Sequence, residues 1–300
     1  MARVAGAGAG RRLSDRTFAA ILLLPALALF ALIDLYPLLY SIYVGFTDTS
    51  LLSGQGKYVG LTNLRRVLGE DFLADLMRTV AFAGGGTLLA FGLALGLALL
   101  LNAGLRGQRW LRGLVLLPWL LPGVVVSFLW LWMLDPNHGI VNDVLQRLGV
   151  VDDPVHWLGT PASAMASVIV AKSWHSFPWM AVMILAGLQT VPAETIDAAR
   201  VDGAGAIGRF RHVVAPHLRP IFALAVLLEL IWNFQHFDTI YVMTHGGPAG
   251  ATTTFAVDVY DQAFQAYDLG RAGAIGLVWT VLLSAIVIVY IRADQRRAAP

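Results

Sequence analysis

The sequence predicts an all-α integral membrane protein, and three observations lead to that fold class. Of the 300 residues, 57% are hydrophobic and only 13% are charged, which is too apolar for a typical water-soluble domain. Several apolar runs reach the length of about 20 residues that a helix needs to cross the hydrocarbon core of a bilayer. These runs do not alternate in stretches of about 10 residues, as the strands of a transmembrane barrel would.

We predict six transmembrane helices within one membrane domain, residues 18–291. The first apolar run follows a cluster of arginines, as in a secretory signal, but it continues past Pro25 and Pro37 and is too long for a cleaved segment. We therefore expect a retained helix, kinked at its prolines, after a disordered tail at residues 1–17. The predicted spans are residues 18–46, 76–101, 110–134, 164–190, 220–243 and 272–291, followed by a tail at 292–300.

Positive charge is distributed unevenly between the segments that join these spans. Fourteen of the 21 Lys and Arg residues belong to the side that holds the N-terminus, six belong to the other side, and Lys172 lies within a span. The positive-inside rule then puts both termini in the cytoplasm. The outer loops are residues 47–75, 135–163 and 244–271, and the inner loops are 102–109 and 191–219. Apolar spacing predicts short helices at 139–145 and 255–267, which either lie flat in the interface or receive an external partner.

Several chemistries are excluded by composition and motif. The chain has no cysteine, which excludes disulfides, thiol catalysis and cysteine-ligated clusters. It has no phosphate-binding Gly-x-x-x-x-Gly-Lys-Ser/Thr motif, so it does not bind ATP in that manner. His175 has no second ligand at metal spacing, and no loop is large enough to hold an enzyme core. We expect a non-catalytic protein with no catalytic residue, no metal and no cofactor of its own.

The inner loop before the fifth predicted span is the most informative part of the chain. A connector between two spans is usually plain and polar, whereas residues 193–215 carry helical periodicity. This pattern predicts two short helices joined near Gly203, which supplies the backbone freedom to reverse direction, with Pro216 and Pro220 closing the loop. We expect a folded segment that another protein binds; an ordinary structured loop is the alternative. The residues at helical spacing are Ile196, Ala199 and Gly203, then Ile207, Phe210 and Val214.

The same loop resembles the EAA loop of ABC importer permeases. The family pattern is Glu-Ala-Ala, three residues, Gly, nine residues and Ile-x-Leu-Pro. Here Asp197-Ala198-Ala199 is followed after three residues by Gly203 and after nine more by Val213-Val214-Ala215-Pro216. Asp197 replaces the usual Glu. Its side chain is shorter and extends less far towards any ATPase residue with which family members form a salt bridge from this position. Pieces similar to the subfamily for sugars and glycerol-3-phosphate are Leu117-Pro118-Trp119, Trp174 with Phe177-Pro178, Ala186-Gly187-Leu188, Asp202-Gly203-Ala204 and Gly246-Gly247-Pro248.

The resemblance implies a type I ABC importer permease bundle with a cytoplasmic coupling helix at about residues 193–203. It implies four kinds of partner in a prokaryotic plasma membrane: a dimer of ATPase subunits, a second homologous permease, an extracytoplasmic binding protein that delivers a sugar or related carbohydrate, and membrane lipid. ATP and Mg would be bound by the ATPase, and no nucleic acid is involved. The implied coupling residues are Glu194, Asp197, Ala198, Ala199, Arg200, Asp202, Gly203, Ala204, Phe210 and Pro216.

Polar side chains within the predicted spans indicate a bundle interior or a cavity, because charges are costly in lipid. Glu229 and Asn233 are four residues apart and share a helix face among aromatic residues, a mixture that suits sugar hydroxyls and C–H faces. An interhelix hydrogen bond is the alternative. Lys172 and Asp238 lie at equal distances from the ends of their spans, so we expect an ion pair between them. The candidate substrate-pathway residues are Glu229, Asn233, Gln235, Asp238 and Lys172.

Two other functions remain open at this point. An ion-coupled transporter or channel would work as an isolated chain, and the spacing from Asp197 to Pro216 would be accidental. An intramembrane enzyme would need a His-Glu-x-x-His motif, paired aspartates within spans or an activated serine, none of which we find. Dependence of uptake on a separate ATPase distinguishes the permease from both.

Overall fold

The computed structural model describes residues 14–69, 72–103 and 107–298. Over these residues the chain forms fifteen α-helices and three π-helical turns, with no β-strand and only two isolated β-bridges. The all-α fold class is therefore confirmed. The disordered tail predicted at residues 1–17 lies outside the described residues as far as residue 13, and the prediction is wrong for its last three residues, because α1 begins at Asp15.

Five helical stretches among the described residues are apolar and long enough to cross a membrane. Each has 24 to 31 residues, and at about 1.5 Å per residue even the shortest exceeds the roughly 30 Å hydrocarbon core. They correspond to all the predicted spans except the third. These stretches are Ile21–Val44, Phe72–Asn102, Pro161–Leu188, Ala206–Phe234 and Leu269–Ala293.

The first stretch is formed by α1 (Asp15–Phe30) and α2 (Tyr36–Val44), joined by a π-helical turn at Ala31–Leu35. Pro37 is the second residue of α2 and has no N–H to continue an α-helical hydrogen-bond ladder. The π turn just before it lets the helix continue, with the Tyr36 N–H donating to the carbonyl of Ala31. The predicted irregularity at this proline is thus a local change of helix type.

The loop that follows, which the sequence predicts to lie outside, carries α3 (Thr62–Gly69), and α4 (Phe72–Asn102) then crosses the bundle. Ala90, Ala94 and Ala98 repeat every fourth residue along α4, and each is fully buried. Small side chains in this arrangement let a neighbouring helix approach closely. Because lipid chains are as apolar as the helices, close packing of this kind is what holds helices together in a membrane.

Residues 110–134 do not form the unbroken third span that we predicted. Pro122 disfavours the α conformation for the residue before it, and Leu121 is extended with ψ of 143°. The apolar helix after this break has 11 residues, too few to cross a bilayer alone. The prediction of one continuous helix here is wrong because it ignored the effect of Pro122. The stretch comprises α5 (Gln108–Val115), α6 (Leu117–Leu120) and α7 (Gly123–Met133).

The second outer loop is folded around α8 (Ile140–Arg147), which confirms the short helix predicted there. Asn142 is buried, and its side-chain oxygen accepts from the Trp157 indole at 3.0 Å and from the Val155 N–H at 3.2 Å. One amide therefore holds α8 against the chain segment that leads into the next long helix.

That helix, α9 (Pro161–Leu188), begins at a Thr160 cap whose hydroxyl accepts from the Ser163 N–H at 3.3 Å. Its inner half packs on the alanine face of α4, and the buried side chains there include Met180 and Ile184. These two helices form the centre of the bundle and carry its largest apolar core.

The inner loop and the fifth predicted span differ from the sequence prediction at both ends. A single helical stretch begins at Ala206 and continues through Pro216 and Pro220, so neither proline closes the loop. It ends at Phe234, and residues 235–237 interrupt the span that we predicted at 220–243. The elements are α10 (Ala193–Val201), α11 (Ala206–Arg209), a π turn (Phe210–Val214), α12 (Ala215–Phe234) and α13 (Asp238–Thr244).

The third outer loop contains α14 (Phe255–Tyr260) and a π turn at Asp261–Gln265, in agreement with the predicted helix at 255–267. The last helix, α15 (Leu269–Ala298), extends through most of the predicted tail at 292–300. It crosses α2 at Gly45, where a Cβ atom would lie 3.0 Å from the Ala274 nitrogen. The absence of a side chain at Gly45 permits this crossing.

Candidate functional site

The periodicity of the inner loop predicts two short helices: the first is present as α10, whereas the second is the beginning of the long helical stretch Ala206–Phe234. α10 ends at Val201, Gly203 has φ of +80°, and the next helix begins at Ala206. That left-handed conformation is readily available only to glycine, so Gly203 permits the reversal between the helices. Ile196 and Ala199 are half-buried and share one face of α10, as their spacing requires.

The solvent-exposed surface of the inner loop is partly apolar. Val201 is 88% exposed and Ile207 is 83% exposed, on either side of Gly203. Three of the ten predicted coupling residues (Ala199, Ala204 and Phe210) are half-buried. The other seven are exposed, namely Glu194, Asp197, Ala198, Arg200, Asp202, Gly203 and Pro216.

Two arginines are held by contacts within the loop. The Arg200 guanidinium donates to the Asp197 carboxylate at 2.7 Å, one turn apart on α10, and both side chains are well exposed. Arg209 donates to the carbonyl of Ala204 at 2.7 Å, which fixes the start of the second helix. The Asp197 side chain is therefore engaged within its own helix in this structure.

A buried ion pair joins the long helices in the membrane-spanning part of the bundle. Lys172 of α9 lies 3.2 Å from Glu229 of α12, and Glu229 is fully buried. The second carboxylate oxygen of Glu229 accepts from the Trp179 indole at 3.1 Å. Glu229 thus has a partner on each oxygen, which offsets the cost of removing its charge from water.

The predicted ion pair between Lys172 and Asp238 is wrong. The prediction counted a regular helical rise through residues 235–237, where the helix is interrupted, and Asp238 instead begins α13. A Cβ atom at Gly123 would lie 3.2 Å from a carboxylate oxygen of Asp238. Asp238 therefore lies at the N-terminus of α7, where the helix dipole favours a negative charge.

Asn233 is buried one turn beyond Glu229 and contacts α4. Its amide nitrogen donates to the Thr87 hydroxyl at 3.1 Å. A Cβ atom at Gly86 would lie 3.0 Å from that nitrogen, so the glycine is what allows the approach. Lys172, Glu229 and Asn233 therefore lie together between helices, whereas Gln235 and Asp238 are exposed.

Sequence reasoning missed Trp179 and Thr87 as partners of this buried polar group. Trp179 lies seven residues after Lys172, two turns along the same face of α9, and that spacing was a usable signal. Thr87 gave no such signal, because its contact with Asn233 depends on how α4 packs against α12.

The second of the predicted outer loops, residues 135–163, carries one carboxylate whose pKa is shifted. The backbone N–H groups of His138 and Asn137 donate to Asp135 at 2.8 and 2.9 Å. These bonds stabilise the charged form and lower the pKa of Asp135 below its ordinary value. The turn at 135–139 is consequently most stable with Asp135 ionised.

The long apolar helices, the buried polar group between them and the folded inner loop define a polytopic membrane transport component. The family model for the binding-protein-dependent transport system inner membrane component matches residues 86–297, and the chain belongs to that family. The ABC permease resemblance of the inner loop is therefore confirmed.

Two relatives align over nearly the whole chain. The trehalose/maltose transport system permease protein MalF of Thermococcus litoralis is 35% identical over 281 residues, which are 92% of this chain and 93% of the relative. The sulfoquinovosyl glycerol transport system permease protein SmoG of Agrobacterium fabrum is 36% identical over 282 residues, which are 93% of this chain and 91% of the relative.

The fold is also found in a solved structure. A chain from the crystal structure of a bacterial ABC transporter involved in the import of the acidic polysaccharide alginate superposes with a TM-score of 0.80. The match covers 94% of this chain and 96% of that chain at 22% identity. At that identity the match establishes the importer permease fold.

Proposed function

We propose that this chain is one of two permease subunits of an ATP-driven importer for a sugar or a related carbohydrate. The names of the two relatives, one for trehalose and maltose and one for a sulfoquinovosyl glycerol, support the carbohydrate class. The second permease is a homologous chain, and an extracytoplasmic binding protein delivers the substrate. The family membership supports the binding protein.

The exposed apolar surface of the inner loop carries the proposal of an ATPase partner. Val201 and Ile207 are among the most exposed large apolar side chains described, although they lie on a folded segment beside charged residues. Two exposed apolar side chains on either side of a fixed turn can pack into an apolar groove of another protein. α10 is then the coupling helix, and the ATPase, not this chain, binds ATP and Mg.

A mechanical path leads from that loop into the bundle. The loop connects α9 to the helix that begins at Ala206, and the Lys172–Glu229 ion pair joins those two helices again farther along. Displacement of α10 by closure of the ATPase dimer would therefore move both helices together. ATP drives this change by binding more tightly to one of two global states.

The translocation pathway lies along the face that carries Gln235 and Asp238. These side chains are exposed at the interruption between α12 and α13, and polar groups at such a position suit a water-filled cavity. Lys172, Glu229 and Asn233 lie behind them and take part in the pathway when the bundle changes state. The positive-inside rule gives this arrangement cytoplasmic termini and an inner coupling loop.

Co-purification of the tagged chain in mild detergent tests the proposal. We expect an ATPase and a second permease to accompany the wild-type chain, and an Asp197→Ala/Gly203→Val double variant to lose the ATPase. Asp143→Ala/Gly149→Val is a matched control on the outer side, because Asp143 pairs with Arg147 at 2.9 Å and Gly149 has φ of +68°. The control retains the ATPase.

A solitary chain that moves solute into liposomes without ATP would contradict the proposal and support an ion-coupled transporter. Loss of the ATPase from both double variants would show that the effect is general destabilisation. The carbohydrate class is tested separately, by uptake of radiolabelled sugars into vesicles that contain the purified complex, the binding protein and ATP.

A further inference from the structure

Four aromatic rings form a continuous series from the interruption after α12 to the outer loop. The ring centroids of Phe237 and Tyr241 are 4.8 Å apart, those of Tyr241 and Tyr260 are 4.6 Å apart, and those of Tyr260 and Phe264 are 5.0 Å apart. We call Phe237, Tyr241, Tyr260 and Phe264 the aromatic ladder. It extends from Phe237, two residues after Gln235, through α13 and α14 to the π turn at Asp261–Gln265, in the loop that the sequence predicts to lie outside.

Polar side chains line the outer half of the aromatic ladder. The Gln265 amide donates to the Tyr241 hydroxyl at 3.2 Å and to the Asp261 carboxylate at 3.0 Å. Partial burial, and then the neighbouring Asp258, raise the pKa of Asp261 above its ordinary value. Because carboxylates and amides are costly in hydrocarbon, this face of the ladder is in contact with water and not with lipid chains.

A second series of rings provides a contrast. Tyr36, Tyr40 and Tyr43 of α2 also follow one another, with centroids 6.3 and 6.5 Å apart, and all three are exposed. Their exposed neighbours, such as Leu32 and Leu39, are apolar, as expected of a helix in contact with lipid. The two series have similar rings and different surroundings.

The backbone around the aromatic ladder is also unusual. Within the part of the chain that the structure describes, the non-glycine residues with positive φ are His245, Ala249 and Tyr267, with φ of 49°, 48° and 58°. All three lie in the outer segment to which the ladder leads. Such conformations persist only where the surrounding structure enforces them, and they concentrate at functional sites.

We infer that the aromatic ladder is a carbohydrate-binding path on the outer side of the permease. Its rings offer flat apolar platforms to the C–H faces of a pyranose, and Asp261, Gln265 and the tyrosine hydroxyls bind sugar hydroxyls. A sugar released by the binding protein moves along the rings to the interruption at residues 235–237. This inference rests on the proposed function, and it assigns that function an entry route.

The test uses the complete complex in vesicles, with its binding protein, ATP and a panel of radiolabelled mono- and disaccharides that includes maltose and trehalose. We expect Tyr260→Leu/Phe264→Leu to reduce sugar uptake about fivefold, since each ring contact contributes modestly. ATPase activity stimulated by the loaded binding protein should stay within about twofold of wild type, because the coupling loop is unchanged. Tyr260→Phe with Phe264 intact should retain most of the wild-type uptake, because it keeps both rings and removes only one hydroxyl.

Tyr36→Leu/Tyr40→Leu is the matched control, and we expect it to transport at the wild-type rate. If the ladder variant fails to assemble, Phe264→Leu alone serves in its place, because that ring is 54% exposed. Wild-type uptake by the ladder variant would overturn the path and leave the proposed function standing. A wild-type complex that imports no sugar of the panel would overturn both, and equal loss of uptake and ATPase activity would also overturn the path.

Discussion

Two of the acid–base pairs in the described residues have similar chemistry and opposite surroundings. Lys172 and Glu229 are 5% and 0% exposed and lie between two long helices, whereas Asp197 and Arg200 lie at the surface of α10, one turn apart. An exposed pair of this kind contributes about 0–1 kcal/mol to stability. A buried pair is costly to form, and it is much more costly to leave half-formed. The comparison teaches that the first pair joins two helices of the bundle, whereas the second is accessible to the ATPase that we propose as a partner.

Glu229→Ala is expected to have the largest effect. It leaves the Lys172 ammonium and the Trp179 indole without their common acceptor, and loss of one partner of a buried pair destabilises by about 3–5 kcal/mol. Thermal unfolding of the purified complex in detergent measures this loss. If the variant unfolds at the wild-type temperature, the pair does not hold α9 and α12 together.

The double variant Lys172→Met/Glu229→Gln tests whether stability depends on the two charges or on the contacts between the side chains. Removing both charges while keeping an acceptor for Trp179 should return the free energy of unfolding to within about 1 kcal/mol of wild type. Transport by this variant then decides a further question. Full transport would show that the pair only fixes the position of α9 against α12. Loss of transport with normal stability would place these residues in the pathway.

The sequence could predict the helical class, the approximate positions of five long helical stretches and the inner loop, because each depends on local composition and periodicity. It could not predict the interruptions at Leu121 and at residues 235–237 from apolar length alone, although Pro122 was a usable warning. Continuity from Ala206 through Pro216 and Pro220 was also missed: a π turn precedes Pro216, and Pro220 lies within the first turns of α12. Local pattern thus identifies elements better than it locates their ends.

The partners of the buried polar side chains were harder to predict for a different reason. Lys172, Glu229 and Asn233 could be selected because polar residues are rare within spans. Their contacts depend on helix rotation and depth, and a count along regular helices paired Lys172 with Asp238 instead of Glu229. Gly86, which makes room for the Asn233 amide, acts only through packing between helices.

Gly203→Ala is expected to have an intermediate effect, confined to the inner loop. At φ of +80° an alanine is strained by about 1–2 kcal/mol, although no neighbouring atom obstructs its Cβ. We expect a lower affinity for the ATPase and reduced uptake, measured with the reconstituted complex, and little change in the unfolding temperature of the bundle.

Gly205→Ala is the matched control for this variant. Gly205 lies two residues further along, has φ of −65° and also has open space around its Cβ position. It should retain wild-type coupling. Equal loss of coupling in both variants would show that small size, and not the left-handed conformation, matters in this loop.

Asp197→Ala is expected to have the smallest effect on stability and still to affect function. The lost pair with Arg200 is exposed and contributes no more than about 0.5 kcal/mol, so the unfolding temperature should hardly change. ATP hydrolysis stimulated by the loaded binding protein should fall, because the freed Arg200 changes the charge that α10 presents to the ATPase. Asp143→Ala breaks the similarly exposed pair with Arg147 in α8, away from the inner loop, and should leave the same stimulated ATP hydrolysis unchanged. A loss of stability as large as that of Glu229→Ala would contradict the distinction between the two pairs, because burial is what separates them.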